Sequence, residues 1–140
     1  MFLLLSIKPN FVKSILDGEK KYEFRKRIFV RHGIQTVYIY SSRPVQRVVG
    51  AFEIGGITKD TPQELWSRFG ESAGLKEEDF FDYFNNREIG YAIQIKNLTR
   101  FKIPVDPKAG IENFTPPQNY MYLKGPIEDG QQQGPSAGIP

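Results

Sequence analysis

The segment FLLLSIKPNFVKSILDGEKKYEFRKR, residues 2–27, carries the pattern from which the fold is inferred. Its first six residues form a short apolar run that ends before Lys8-Pro9, which is typical of a buried strand. From Pro9 to Asp17 apolar residues recur at helical spacing, and Gly18 suits the position just after a helix. Residues Lys20–Arg27 then alternate between apolar and polar side chains, which predicts a half-buried strand.

The rest of the chain predicts more strands than helices. Strands are expected at Thr36–Tyr40, Val45–Thr58, Tyr91–Lys96 and Gln118–Leu123. The capping box Thr61-Pro62-Gln63-Glu64 opens a helix to Phe69, and a second, acidic helix is expected over Lys76–Phe84. Because strands do not alternate regularly with helices, a doubly wound parallel sheet is excluded. We expect an α+β fold, a small and mostly antiparallel β-barrel with two or three helices packed outside.

Composition excludes several classes of protein. Apolar residues make up 39% of the chain and aromatic residues 14%, which excludes wholesale disorder. The chain has no cysteine, so disulfide scaffolds, thiolate nucleophiles and cysteine–zinc sites are impossible. With His32 as its single histidine, a multi-histidine metal site is not expected, and we predict no metal and no cofactor. The apolar start is too short for a signal sequence or a membrane span, so we expect a soluble cytoplasmic protein.

One domain is expected over residues 1–123. From residue 124 to residue 140 there is no aromatic side chain, and Gly, Pro and Gln dominate. Such a segment buries too little apolar surface to order itself. We therefore predict a flexible C-terminal tail at 124–140.

Charge is distributed unevenly along the chain. The net charge is +3, but residues 1–50 contain ten Lys/Arg against three Asp/Glu, and residues 51–90 contain four against nine. In the run Lys20–Arg27 basic residues are interleaved with Tyr22 and Phe24, a pattern that suits a ligand with phosphates and stacking bases. The alternative is a basic strand with one solvated, salt-bridged face.

Four segments then resemble a known family. Residues 18–25 have the form Gly-x-Lys-x-x-Glu-x-Arg, which is met by Gly18, Lys20, Glu23 and Arg25. With LLSIKP (4–9), the pair YIYSS (38–42) and VVGAFEI (48–54), and FTPPQNY (114–120), this motif resembles the ASCH domain of the PUA-like superfamily. The resemblance covers residues 2–123.

This resemblance implies a PUA-like β-barrel with a cleft beside the first helix. Relatives are thought to bind RNA or nucleotides, and many are described as transcriptional regulators. One branch hydrolyses the amide of an acetylated cytidine, and another is described as a ribonuclease. In the deacetylating branch a threonine stands where this chain has Glu23. A carboxylate does not replace a hydroxyl in acyl transfer, so the departure disfavours that reaction here.

The sequence predicts one cleft with a defined set of ligand-binding residues. It is expected to be lined by the C-terminal end of the first helix, the strand Lys20–Arg25, Ser41 and the segment Gln118–Tyr120, with Lys20 and Glu23 close enough to interact. The first hypothesis is a module that binds RNA or a modified nucleotide, in which Lys20, Arg25 and Lys8 contact phosphate. The full set of candidate ligand contacts is Lys8, Lys20, Tyr22, Glu23, Arg25, Ser41, Ser42, Gln118, Asn119 and Tyr120.

Two further classes of function stay open. One is a metal-independent hydrolase, acting on a modified nucleoside or as a ribonuclease, with Lys20 and Glu23 as its catalytic residues. The other is a protein-interaction module that uses the acidic helical segment 59–89. The sequence does not decide whether the protein is an enzyme.

Overall fold

A computed structural model describes residues 1–130, which form a curled six-stranded sheet with three short α-helices packed against it. The strands are β1 (Phe2–Ile7), β2 (Tyr22–Arg25), β3 (Thr36–Ser41), β4 (Arg47–Asp60), β5 (Gly90–Val105) and β6 (Tyr120–Leu123). The helices are α1 (Pro9–Leu16), α2 (Pro62–Phe69) and α3 (Glu77–Tyr83), with 3-10 turns at Gly70–Ser72 and Pro107–Ala109. None of the helices in this part of the chain is long and apolar enough to cross a membrane.

The strand order is β2-β5-β4-β3-β1-β6, and the only parallel pair in this sheet is β1 with β3. The mostly antiparallel, barrel-like α+β fold expected from the sequence is thereby confirmed. The pairing of β4 with β5 shifts register three times, once across Gly55-Gly56. Such irregularities bend a strand and increase its twist, which explains why the sheet curls.

The first strand is buried on both faces. Leu3, Leu4 and Leu5 are almost inaccessible to solvent, although successive side chains of a strand point to opposite faces. Leu3 and Leu5 join the core cluster beneath α1, whereas Leu4 joins a second cluster with Tyr38 and Phe101. A continuous apolar run is what a strand covered on both faces requires.

A third core cluster holds the helices α2 and α3 against the sheet. Phe80 of α3 is fully buried and meets Phe24 of β2 edge-on, with ring centroids 4.9 Å apart. Trp66 of α2 packs on the same ring at 5.0 Å, and Leu65 is also fully buried. The acidic helical segment 59–89 is therefore an integral layer of the domain, and the apolar face of this segment packs on β2.

Two strands differ from the sequence expectation by four residues or more, and the other strand ends differ from it by no more than two residues. The strand expected over Lys20–Arg27 is only Tyr22–Arg25. Before it, Lys20 N donates to Ser14 O at 3.0 Å and Lys21 N donates to Ser72 O at 2.8 Å, so these two amides bond outside the sheet. The strand expected over Tyr91–Lys96 extends to Val105, because its second half pairs with β4. That pairing is non-local, and in the second half only residues 101–105 alternate, around a proline that is unusual within a strand. The helix start at Thr61 is confirmed, since its hydroxyl accepts from Glu64 N at 3.2 Å.

Part of the expected tail contacts the sheet. Ile127 packs on the second core cluster, and the Asp129 carboxylate accepts from Lys102 N at 2.7 Å and from Ile103 N at 3.0 Å. The segment 127–130 is therefore held along β5. The remainder of the expected tail, 131–140, lies outside the described residues, and the domain boundary at 124 stays a prediction.

The third cluster yields a prediction of stability. Phe80→Ala should lower the free energy of unfolding by about 3–5 kcal/mol, because it leaves a cavity among Phe24, Trp66 and Phe84. Urea unfolding measures the loss. In Val30→Ala, whose parent side chain is 79% exposed, the change should stay within about 0.5 kcal/mol. Equal losses in the two variants would contradict this account of the core.

Candidate functional site

A cleft of about 1160 Å³ opens at one end of the sheet, between α1, β2, α3 and the loop that precedes β6. The parallel pairing of β1 with β3 places Ile7 beside Ser41, and Ser42 N donates to Ile7 O at 2.9 Å. The chain just after each strand, Lys8 and Ser42, therefore lies at the same end. On the other side of β1, Ser6 N donates to Asn119 O at 2.9 Å, which brings the loop 115–119 to this cleft.

Three charged side chains form the floor of the cleft. Lys20 Nζ lies 3.6 Å from Glu23 Oε1, and Arg25 Nη2 lies 2.9 Å from Glu23 Oε2. Lys20 and Glu23 are buried, and Arg25 is largely covered. Glu23 and Arg25 are two apart in β2 and so share one face of the strand, as the sequence predicted. The interaction expected between Lys20 and Glu23 is thus present, and the carboxylate lies between two cations.

The Lys20 ammonium is more enclosed than the sequence indicated. Although Lys20 follows shortly after the end of α1, it is only 4% exposed. Its Nζ donates to Ala73 O at 2.8 Å and faces the rings of Phe11 and Phe24 at 5.5 and 5.1 Å. Burial lowers the pKa of Lys20 below its ordinary value of 10.5; Glu23 acts in the opposite direction, and the charge of Arg25 adds to the lowering.

The segment after α2 fastens this lysine in place. Besides the contact with Ala73, Lys21 N donates to Ser72 O at 2.8 Å. Gly74 has φ +72° and packs so closely on Lys20 that a Cβ there would lie 2.4 Å from Lys20 Cβ. Only glycine fits both the positive φ and the close approach.

Arg25 joins the floor to β1. Its Nη2 donates to Ser6 O at 2.8 Å as well as contacting Glu23. Its Nε is buried and has no hydrogen-bond partner within residues 1–130. A buried guanidinium nitrogen without a partner is costly, and a ligand or water in the cleft would satisfy it.

The two walls of the cleft carry opposite charges. The exposed basic side chains Lys8 and Arg43 follow β1 and β3, and the exposed Lys108 lines the cleft from the 3-10 turn after β5. Asp79 and Asp82 line the opposite side, where α3 packs on β2. Asp79 and Asp82 are exposed, so this face of α3 is solvated and at the same time forms a wall of the cleft.

The structure brings most of the candidate ligand contacts together. Seven of the ten line the cleft, namely Lys8, Lys20, Glu23, Arg25, Ser42, Gln118 and Asn119. The helix α1 contributes Phe11 from its first turn, whereas its C-terminal end was expected to line the cleft.

The other three candidates lie elsewhere. Tyr22 stacks on Phe69 with ring centroids 4.2 Å apart, on the face of β2 that α2 covers. Ser41 is 2% exposed within the sheet. Tyr120 packs edge-on to Tyr122 at 5.6 Å in the first core cluster. Alternation places Ser41 on the far side of β3 from Tyr40, which does line the cleft.

Sequence reasoning missed several lining residues, namely Arg43, Gln46, Asp79, Asp82, Tyr83, Lys108 and Thr115. Asp79, Asp82 and Tyr83 share one helix face by their three- and four-residue spacing, which was a readable signal. Tyr40, considered for base stacking, also lines the cleft, and burial raises the pKa of its hydroxyl, with the charge of Asp106 acting in the same direction. Within residues 1–130 no group of three or more potential ligands could hold a metal ion.

A family model, a curated relative and solved structures are similar to this chain. Residues 6–114 match the family model described as "Domain of unknown function (DUF365)". A Zymomonas mobilis protein named "ASCH domain-containing ribonuclease" is 34% identical over 123 residues, which cover 86% of this chain and 83% of that protein. The crystal structure of ASCH from Zymomonas mobilis is similar with a TM-score of 0.81 at 32% identity, over 88% of this chain and 87% of that one. A mutant form of that protein gives a TM-score of 0.81 at 31% identity, over 88% and 90% of the two chains.

The contact between Gly74 and Lys20 predicts a selective loss of stability. Gly74→Ala should lower the free energy of unfolding by about 1–2 kcal/mol, because alanine is strained at this positive φ. It should lower it by about 1–3 kcal/mol more, because the added Cβ displaces Lys20. Gly18→Ala is the matched control, because Gly18 has φ +84° but no atom within 4 Å of the added Cβ. Thermal unfolding compares the two. A loss in Gly18→Ala as large as that in Gly74→Ala would contradict the packing role.

The lowered pKa of Lys20 predicts a pH dependence of stability. Between the folded pKa and the ordinary 10.5, the unfolded chain binds more protons at Lys20 than the folded chain does, so this lysine makes stability rise with pH there. Unfolding free energies of the parent and of Lys20→Met are compared at about pH 7 and about pH 10. The parent should gain stability relative to the variant at the higher pH. The titration of the tyrosines affects both proteins equally and drops out of the difference. A difference that does not change with pH would contradict the prediction.

Proposed function

The chain belongs to the ASCH domain family, and on that premise we propose that it is a ribonuclease which binds single-stranded RNA in the cleft and cleaves it at Lys20. The observation that carries the proposal is the enclosed Lys20–Glu23–Arg25 floor beneath a basic wall. A relative that shares 34% of its residues over most of both chains is named a ribonuclease, which supports the assignment.

The size and charge of the cleft suit a polynucleotide. Small-molecule pockets usually have volumes of roughly 300–1,000 Å³, and this cleft is larger, at about 1160 Å³. Lys8, Arg43 and Lys108 along one wall can neutralise successive phosphates. The partner we propose is therefore an RNA chain that passes along this wall.

The apolar and amide groups of the cleft suit an unstacked base. Phe11, Pro116 and Pro117 offer flat apolar faces, and the side-chain amides of Gln118 and Asn119 carry both donors and acceptors. Proteins read RNA in this way when its bases are splayed out of a single strand or loop. Double-stranded RNA keeps its bases stacked and should bind poorly.

The floor of the cleft can support cleavage by the RNA's own 2′-hydroxyl. Because burial lowers the pKa of Lys20, its neutral amine forms more readily than that of an ordinary lysine and can accept the 2′-hydroxyl proton. The O2′–P bond then forms as the P–O5′ bond breaks, and the 5′ oxygen leaves with a proton from water. The hydroxide that this leaves takes back the proton held by Lys20, which restores the neutral amine. Arg25 and Lys8 neutralise the charge that develops on the phosphate. The products are a 2′,3′-cyclic phosphate end and a 5′-hydroxyl end.

Replacing the buried lysine tests this assignment. Lys20→Met should lower the rate of cleavage of single-stranded RNA by about 100-fold or more, since a general base contributes that much. Lys21→Met is the matched control, because the neighbouring Lys21 is exposed and does not line the cleft. Product ends are identified by mass spectrometry, and thermal unfolding checks that both variants fold. Equal activity in Lys20→Met and the parent would overturn the role of Lys20.

The chemistry also predicts what the reaction needs. Because a side chain accepts the proton, cleavage should persist in EDTA. Because the nucleophile is the 2′-hydroxyl of the RNA, cleavage should stop at a site where that hydroxyl is replaced by hydrogen. Binding should weaken steeply as salt rises from about 50 to about 200 mM. If RNA binds in a salt-sensitive way but is not cleaved, the protein is an RNA-binding module and the enzymatic part of the proposal is refuted.

A further inference from the structure

The acidic wall of the cleft is rigidly placed. Phe80 at the middle of α3 is fully buried against Phe24, which fixes the rotation of the helix. At the end of α3, the Lys26 ammonium lies 4.7 Å from the centre of the Tyr83 ring, a second contact with the chain around β2. Asp79 and Asp82 flank Phe80 on the side that faces the cleft.

These two carboxylates have no basic partner of their own. Within residues 1–130, the ion pairs are Lys13–Asp17, Lys20–Glu23, Arg25–Glu23 and Arg47–Asp106, so neither Asp79 nor Asp82 is neutralised. The cations of the cleft stand on the opposite wall or on the floor with Glu23. A phosphate is repelled by the acidic wall and attracted to Lys8, Arg43 and Lys108.

A nucleotide whose phosphate binds to the basic wall therefore points its base toward α3. A carboxylate can only accept hydrogen bonds, so it favours the amino groups of cytosine, adenine and guanine. Uracil presents a single N–H between two carbonyl oxygens, and those oxygens are repelled by a carboxylate. The same rule explains why acidic side chains pair with the amino group of cytosine in nucleic-acid recognition.

On the premise that RNA occupies the cleft as proposed above, we propose that Asp79 and Asp82 make the site selective for nucleotides whose base carries an exocyclic amino group, against uridine. The two aspartates are specificity-determining residues, and they take no part in bond breaking. Their neighbours Glu77 and Glu78 lie on the same helix but do not line the cleft.

The experiment measures binding of the four nucleoside 3′-monophosphates by NMR or calorimetric titration, independently of cleavage. The parent should bind the cytidine, adenosine and guanosine monophosphates about tenfold more tightly than the uridine monophosphate. The double variant Asp79→Asn, Asp82→Asn should bring the ratio close to one, because an asparagine amide can also donate to the uracil carbonyls. The matched control is Glu77→Gln, Glu78→Gln, which changes the charge of α3 equally and should keep the preference.

The outcomes separate this proposal from the proposed function. A preference that is absent in the parent, or that survives in the aspartate variant, overturns the selectivity while leaving the ribonuclease assignment intact. A preference that disappears equally in both double variants shows a general charge effect and also overturns it. Selective binding without cleavage of RNA supports the selectivity and overturns the ribonuclease. Failure of all four nucleotides to bind overturns the selectivity, whereas the ribonuclease assignment is decided by the cleavage of single-stranded RNA.

Discussion

An ammonium buried at the bottom of a cleft must be held by groups that compensate its lost hydration, and the structure around Lys20 is arranged to meet this requirement. The compensation comes from separate parts of the chain: the Glu23 carboxylate on β2, the Ala73 carbonyl after α2 and the aromatic faces of Phe11 and Phe24. Since these groups are brought together only by the complete fold, the floor of the site and the packing of the helices on the sheet depend on each other.

The third core cluster is the link between that site and the acidic segment. Phe80 secures α3 to β2, and the segment between α2 and α3 covers Lys20. The same layer therefore supplies the carbonyl that holds the lysine, the glycine that packs on it and the negative wall of the cleft. A segment that looks in the sequence like an acidic surface insertion is, in the structure, a wall and a support of the candidate site.

The sequence predicted those helices and strands that are marked by local signals, and those relations between site residues that depend on spacing within one strand. The capping box at Thr61 and the face shared by Glu23 and Arg25 were readable because their geometry is decided within a few residues. The burial of Lys20 was not readable, because it depends on a carbonyl 53 residues away. The candidates Tyr22 and Ser41 were misplaced for a related reason: spacing identifies which side chains share a face, but only tertiary packing decides which face lines the cleft.

The Asp129 carboxylate, which accepts from Lys102 N and Ile103 N, has a consequence for association between molecules. The exposed margin of a sheet presents amide donors that a foreign strand can use as a template for pairing. β2 pairs only with Tyr91–Gln94 of β5, so the second half of β5 has no pairing with β2, and two amide donors there are already occupied by a side chain of the same molecule. A strand from another chain would have to displace this carboxylate before it could pair, so the contact protects the domain against edge-to-edge aggregation.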